Sequence, residues 1–187
     1  MKPKDIINNY HYEKLSPKHD LSEFSCGVKD LDDFLKDDAL TQQEQNLSVT
    51  YLAIFESQIL GYVFILADKV EYRKISKKGV YKDYPSIKIG RLAIDEKFKN
   101  MGLGNEILDS ICIIITKMSK RLGVSFITVD AYCNARKFYQ KNEFKYGIIN
   151  DSEKLKRKAK KYDTTSVPMY KSVKKMKIEF QFSLLLF

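Results

Sequence analysis

Residues 87–104 constrain the fold of this chain more than any other segment. Residues 87–94 are rich in β-branched side chains and predict a strand, and the apolar stripe of residues 102–121 predicts a long helix. The loop between them holds Gly102 and Gly104. This order predicts an anion cradle, because loop amides and a helix start are positive. It equally suits a plain tight turn, and neither a Walker nor a dinucleotide-binding motif is present.

The other predicted elements give a mixed α/β chain. Apolar residues three and four apart predict a helix over residues 29–44, and residues 134–142 predict a shorter one. Gly123 is a predicted stop for the long helix. Residues 67–86 are predicted as a long polar loop. Runs of β-branched and aromatic residues predict strands at 49–55, 59–66, 87–94, 126–129, 144–149 and 164–173.

Composition narrows the class of protein. The 187 residues are 44% apolar, which predicts one domain over residues 1–187, with its core at 15–173 and a basic, apolar tail at 174–187. No apolar run reaches the roughly 20 residues of a bilayer span, and we expect neither a signal peptide nor a membrane partner. Three distant cysteines and two histidines predict no metal site, and the cysteines fit a reducing cytoplasm.

The net charge of +9 is unevenly spread. Residues 20–44 hold eight acidic and two basic residues, whereas residues 152–187 hold ten basic and three acidic ones. The basic end indicates an anionic partner or, with no partner, a solvated face.

Two separated motifs carry a family resemblance. Lys-x-x-Gly-x-Gly at 99–104 is similar to motif A of the GNAT superfamily of acetyl-CoA-dependent N-acetyltransferases, with Lys99 in place of the usual glutamine or arginine. Residues 129–144, with Asn134 and Ala-x-x-Phe-Tyr at 135–139, resemble its motif B, although Glu143 replaces the usual glycine. The resemblance covers most of residues 49–149. It implies the GNAT α/β fold, a mixed and mostly antiparallel sheet with splayed middle strands flanked by helices.

The N-terminal part is similar to one branch of that superfamily. Residues 15–39, 89–95 and 167–170 resemble the toxin-type branch, which includes tRNA-acetylating toxins paired with ribbon-helix-helix antitoxins. The resemblance implies an aminoacyl-tRNA substrate and an antitoxin partner, and a homodimer is common among such proteins.

The resemblance also implies where acetyl-CoA, the acetyl donor, is held. Backbone groups of the strand are expected to pair with the pantetheine arm, and Asn134 is expected to bond it as well. The loop amides are expected to hold the pyrophosphate. The implied cofactor residues are Leu92, Ala93, Ile94, Lys99, Asn100, Met101, Gly102, Leu103, Gly104, Asn105 and Asn134.

The implied chemistry is direct attack of an amine on the thioester. Tyr139 is the implied acid for the thiolate leaving group, because a phenol with a pKa of about 10 keeps its proton at neutral pH. Its other interpretation is a core aromatic residue. Asp130 and Glu56 are both open as a base, and neither is assigned. Arg91 is expected to contact the substrate or to form a structural ion pair.

Three functions stay open at this point. The first is acetylation of the amine of aminoacyl-tRNA, which suits the basic clusters. The second is a metabolic or protein N-acetyltransferase, in which the acidic helix at 29–44 faces a small cationic amine or peptide. The third is a non-catalytic module that binds nucleic acid or an antitoxin.

Overall fold

The computed structural model of the protein describes residues 3–71, 81–146 and 166–175. The described strands are β1 (His11–Lys14), β2 (Val49–Phe55), β3 (Gln58–Glu71), β4 (Asp83–Ile94), β5 (Phe126–Tyr132), β6 (Lys145–Tyr146) and β7 (Ser166–Ser172). The described α-helices are α1 (Pro3–Asn9), α2 (Lys29–Asp33), α3 (Ala39–Glu44), α4 (Leu103–Leu122) and α5 (Arg136–Lys141). A π-helical turn, Phe34–Asp38, joins α2 to α3, so the predicted helix over 29–44 is confirmed.

The described strands form one sheet in the order β1-β2-β3-β4-β5-β7-β6. Among their pairings, β4 with β5 is parallel and the others are antiparallel. The crossover from β4 to β5 is α4, as a parallel connection requires. The predicted mixed, mostly antiparallel sheet is confirmed.

Helices cover both faces of the sheet. The stripe of α4 is fully buried at Leu108, Ile111 and Ile115, which pack against strand residues such as Ile89 and Ile127. On the opposite face, the helix over 29–44 buries Phe34 and Leu35 against β2, β3 and the end of β4. Both apolar helix faces are thereby removed from water.

The parallel pair β4–β5 opens into a splay. The pairing runs from Ser86↔Phe126 to Ile89↔Val129 and stops there, although β4 continues to Ile94 and β5 to Tyr132. The β3–β4 register skips one residue at Gly90, since Phe64 pairs with Arg91 and Ile65 with Ile89. A bulge of this kind bends its strand. It lies directly after Ile89, the last residue of β4 that pairs with β5, and so coincides with the start of the splay.

Several predicted boundaries were wrong. The polar loop predicted at 67–86 is shorter, because β3 extends to Glu71 and β4 begins at Asp83; residues 72–80 lie outside the described residues. The extra strand residues face solvent at every second position, so they carry little hydrophobic signal. α1 and β1 were not predicted at all. The described part of the strand predicted at 144–149 is Lys145–Tyr146. Most of the basic stretch 152–187, including the tail beyond 175, lies outside the described ranges.

Candidate active site

The loop before α4 forms an open cradle of backbone amides. Asn100 and Gly102 adopt left-handed backbone angles, with φ of +63° and +88°. Gly102 is the N-cap of α4, and no side chain caps the helix there. Its carbonyl oxygen accepts the first hydrogen bond of the helix, from the amide of Asn105 at 3.0 Å. The amides of Leu103 and Gly104 precede that bond, and the first amides of a helix have no partner within it. The 20-residue helix adds partial positive charge at this point.

The two glycines of the cradle differ in what surrounds them. A Cβ added at Gly102 would meet the Ile7 side chain at 3.9 Å, so its surroundings are open but its backbone angle is strained for any other residue. A Cβ added at Gly104 would stand 3.5 Å from the Phe138 ring and 3.9 Å from Ile94. Gly104 therefore lies at the gap between the end of β4 and α5.

Hydrogen bonds join the cradle to the segment before α2, at Ser25 and Cys26. The buried Asp95 carboxylate accepts from the amides of Lys97 at 2.9 Å and Ser25 at 3.1 Å. Lys99 donates from Nζ to the carbonyl oxygen of Cys26 at 2.8 Å, so its ammonium faces this segment. The sequence assigned no role to Asp95, although an aspartate directly after a strand and two residues before Lys97 is a typical local cap.

A second set of hydrogen bonds joins the cradle to α5. Asn142 donates from Nδ2 to the side-chain oxygen of Asn105 at 3.0 Å and to the carbonyl of Phe138. The predicted residue Asn134 lies in the exposed turn between β5 and α5. Residues Leu92, Ala93 and Ile94 lie on the stretch of β4 that has left β5 and pairs with β3 on its other side. The structure thus brings the splay, the cradle and α5 together at one end of the sheet.

Tyr139 lies on the α4 side of the splay. It is 7% exposed and makes edge-to-face contacts with Phe138 and Phe144. Leu92 and Cys112 belong to the same apolar cluster. Among the described residues its hydroxyl has no hydrogen-bond partner. Burial, with a smaller contribution from Cys112, raises the pKa of the Tyr139 phenol, so it stays protonated at neutral pH.

Charged side chains lie on the opposite face of the splay. Arg91 donates from Nη1 to Oδ2 of Asp30 at 2.7 Å, and its guanidinium lies 4.2 Å from the centre of the Phe34 ring. The Tyr132 hydroxyl donates to the same Asp30 oxygen at 3.2 Å. Asp130 is paired with Lys88. Arg91 is therefore in an ion pair whose partner the sequence did not assign.

Glu56 lies elsewhere, at the exposed turn between β2 and β3, with φ of +46°. Across the described ranges, no three His, Cys, Asp or Glu side chains are grouped as metal ligands. None of the helices in those ranges is both long and apolar enough to cross a bilayer.

Residues 10–157 match the family described as an acetyltransferase (GNAT) domain. The chain belongs to the GNAT acetyltransferase family. A tRNA-acetylating toxin of Mycobacterium tuberculosis is 26% identical over 135 residues, which are 70% of this chain and 81% of the relative. The predicted resemblance to the toxin-type branch is thereby confirmed.

Solved structures of GNAT toxins share the fold. A tyrosine-to-phenylalanine mutant of KacT superposes with a TM-score of 0.73 at 21% identity, covering 88% of this chain and 95% of KacT. AtaT complexed with acetyl-methionyl-tRNAfMet gives 0.74 at 22% identity, covering 89% and 96%. AtaTR bound with acetyl-CoA gives 0.72 at 23% identity, covering 89% and 95%. The GNAT fold predicted for this chain is confirmed.

Proposed function

We propose that this GNAT protein transfers the acetyl group of acetyl-CoA to the amine of aminoacyl-tRNA, as the toxin of a toxin–antitoxin pair. The observation that carries the proposal is the splay of β4 from β5, which leads directly into the uncapped start of α4. The M. tuberculosis relative is a tRNA-acetylating toxin, and AtaT has been solved with an acetylated aminoacyl-tRNA and with the C-terminus of its antitoxin AtaR.

The residues present fit acetyl-CoA. Backbone groups of Leu92 to Ile94 on the side away from β3 provide a strand edge for the amides of the pantetheine arm. The amides from Asn100 to Gly104 provide donors for the pyrophosphate, whereas the Asn105 amide is already bonded to the Gly102 carbonyl. Gly102 supplies the left-handed turn of the cradle. Asn134, in the exposed turn between β5 and α5, is the proposed side-chain amide for the arm. Lys99 contributes by holding the cradle against Cys26, since its ammonium donates to that carbonyl and lies 3.8 Å from Glu96.

Tyr139 is the proposed acid. The lone pair of the neutral acceptor amine forms the new C–N bond at the thioester carbon, the C–S bond breaks, and sulfur leaves with its electron pair. The phenol donates a hydrogen bond to that sulfur, or donates its proton and regains one from solvent, and the nitrogen loses its surplus proton to solvent. Since burial keeps Tyr139 protonated, the residue suits an acid and not a base. We assign no base.

The acceptor is argued from the relatives and from charge. Residues 152–187 carry ten basic and three acidic residues, which suits the phosphates of tRNA. The acidic face of the helix over 29–44 supports the alternative, a small cationic amine or peptide as acceptor. A ribbon-helix-helix antitoxin and a homodimer are further proposals for the partners, within a single domain over residues 1–187.

The test is transfer of labelled acetyl groups. The wild-type protein is incubated with labelled acetyl-CoA and with charged tRNA, uncharged tRNA, polyamines or peptides. We expect label in charged tRNA and none in uncharged tRNA. Transfer to small amines or peptides in place of any aminoacyl-tRNA supports the alternative.

Tyr139→Phe tests the acid. We expect the turnover to fall about 100-fold or more, the typical contribution of a general acid, with acetyl-CoA affinity largely intact. Tyr10→Phe is the control, because Tyr10 lies on the α1 side of α4, where its hydroxyl bonds Ser110 at 3.1 Å. A fully active Tyr139→Phe protein contradicts the assignment.

A further inference from the structure

We infer that Asp30 binds the acceptor amine, as a carboxylate placed across the mouth of the splay on the sheet face opposite α4. The inference rests on the proposed function and deepens it, since it names the group of this chain that recognises the nucleophile. The sequence offered only an acidic helix for this purpose, whereas the structure singles out one of its carboxylates.

Asp30 connects two strands that no longer pair with each other. Its Oδ2 accepts from Arg91, one residue beyond the bulge of β4, and from Tyr132, the last residue of β5. These donors are 61 and 102 residues away from Asp30 in the sequence. The carboxylate therefore spans the opening where β4 and β5 have separated. Burial and the Asp30 charge raise the pKa of Tyr132, which consequently remains a donor.

The direction of the cofactor places the acyl group close to Asp30. With the pyrophosphate at the start of α4, an arm paired with Ile94 to Leu92 runs back along β4 toward Gly90. The thioester then lies beside Gly90 and Arg91. The α4 side of this stretch is filled by the apolar cluster that contains Ile111 and Tyr139. An amine therefore approaches the thioester from the other face, where Arg91 and Asp30 lie.

Asp30 has capacity for a further donor. A carboxylate has about four lone-pair sites on two oxygens. Arg91 and Tyr132 both bind Oδ2, and among the described residues Oδ1 accepts no hydrogen bond. The Asp30 side chain is 62% exposed, so this oxygen is accessible. The Arg91 charge also offsets that of Asp30, which reduces repulsion of the phosphates on an RNA acceptor.

Neighbouring acids are less suited to this role. The Asp32 carboxylate accepts from the amide of Cys26 at 2.7 Å and from the Ser25 hydroxyl at 3.1 Å. Asp33 is paired with Lys29 on the same helix. Asp130 is paired with Lys88, which lies on the part of β4 that still pairs with β5.

The test compares Asp30→Asn with the control Asp33→Asn. Asparagine keeps an oxygen that Arg91 and Tyr132 can bond, so the variant removes mainly the charge. KM is measured for an aminoacyl-tRNA and for the methyl ester of the same amino acid, together with the Kd for acetyl-CoA. We expect Asp30→Asn to raise KM for both acceptors about tenfold, the order of one hydrogen bond to a charged group, with the Kd unchanged. Asp33→Asn should resemble the wild type.

Each other outcome is decisive. An unchanged KM in Asp30→Asn, an equal rise in Asp33→Asn, or a rise in Asp130→Asn in place of Asp30→Asn overturns the role of Asp30 and leaves the proposed function intact. A wild-type protein that acetylates the methyl ester but no aminoacyl-tRNA refutes the tRNA substrate. The KM for the ester then decides the role of Asp30: a rise in Asp30→Asn supports it, and an unchanged KM overturns it. A wild-type protein that acetylates neither acceptor overturns both proposals.

Discussion

A substitution at Gly102 is expected to disturb the proposed cofactor site, because the cradle depends on the backbone angle of this residue. Its φ of +88° costs a residue with a side chain roughly 1–2 kcal/mol, so Gly102→Ala is expected to lower the free energy of unfolding by that amount. Relaxation of the strain moves the cradle amides. Loss of one hydrogen bond to an anionic phosphate costs about 1.5–3 kcal/mol, so we expect the acetyl-CoA Kd to rise about 10- to 150-fold. Calorimetry and urea unfolding measure the two effects separately.

Gly123→Ala is the matched control for this prediction. Gly123 ends the same helix with φ of +67°, and a Cβ there meets nothing within 4 Å. The strain is comparable, but the residue lies about 30 Å from Gly102, given a rise of 1.5 Å per residue over α4. We therefore expect a similar loss of stability with unchanged acetyl-CoA affinity. The reasoning is refuted if both variants bind acetyl-CoA as the wild type does, or if both lose affinity equally.

Tyr62→Phe removes a buried hydrogen bond of 2.8 Å to the carbonyl of Leu31 and should cost about 1 kcal/mol in urea unfolding; an unchanged midpoint would show that the bond contributes nothing. Burial raises the pKa of Cys26 to about 11 and that of Cys112 to about 12, so a thiol reagent at pH 8 should modify the half-buried Cys133 first, which peptide mapping detects. If tRNA is the acceptor, its KM should rise steeply with salt while that of an amino-acid ester should not; equal salt dependence would count against the basic residues as the tRNA contact.

The sequence predicted those elements whose signal is local and periodic. The apolar stripe of α4 and the left-handed stop at Gly123 were both predicted, because each depends on residues close together in the chain. The second half of β3 was missed, since its residues beyond Leu66 are exposed or half-buried and three of the five are charged, so they show little hydrophobic alternation. β1 was missed because it has only four residues.

The candidate site also has a part that the sequence predicted and a part that it did not. The glycines of the cradle stand in one motif, so the sequence was enough to propose an anion site there. The contact of Asp30 with Arg91 and Tyr132 was not predictable, because it depends on the bulge at Gly90 and on the splay that follows it. Lys99 was expected at the phosphates, yet its ammonium faces the carbonyl of Cys26. Such contacts depend on the tertiary fold, so no pattern of residue spacing in the sequence predicts them.

The chemical identity of the product tests the central claim most directly. After reaction of charged tRNA with acetyl-CoA and this protein, mild alkali cleaves the aminoacyl ester, and mass spectrometry identifies the amino acid released. We expect an N-acetylated amino acid, formed only in the presence of acetyl-CoA and at a rate lowered about 100-fold or more with Tyr139→Phe. Release of unmodified amino acids alone, from every charged tRNA tested, would contradict it.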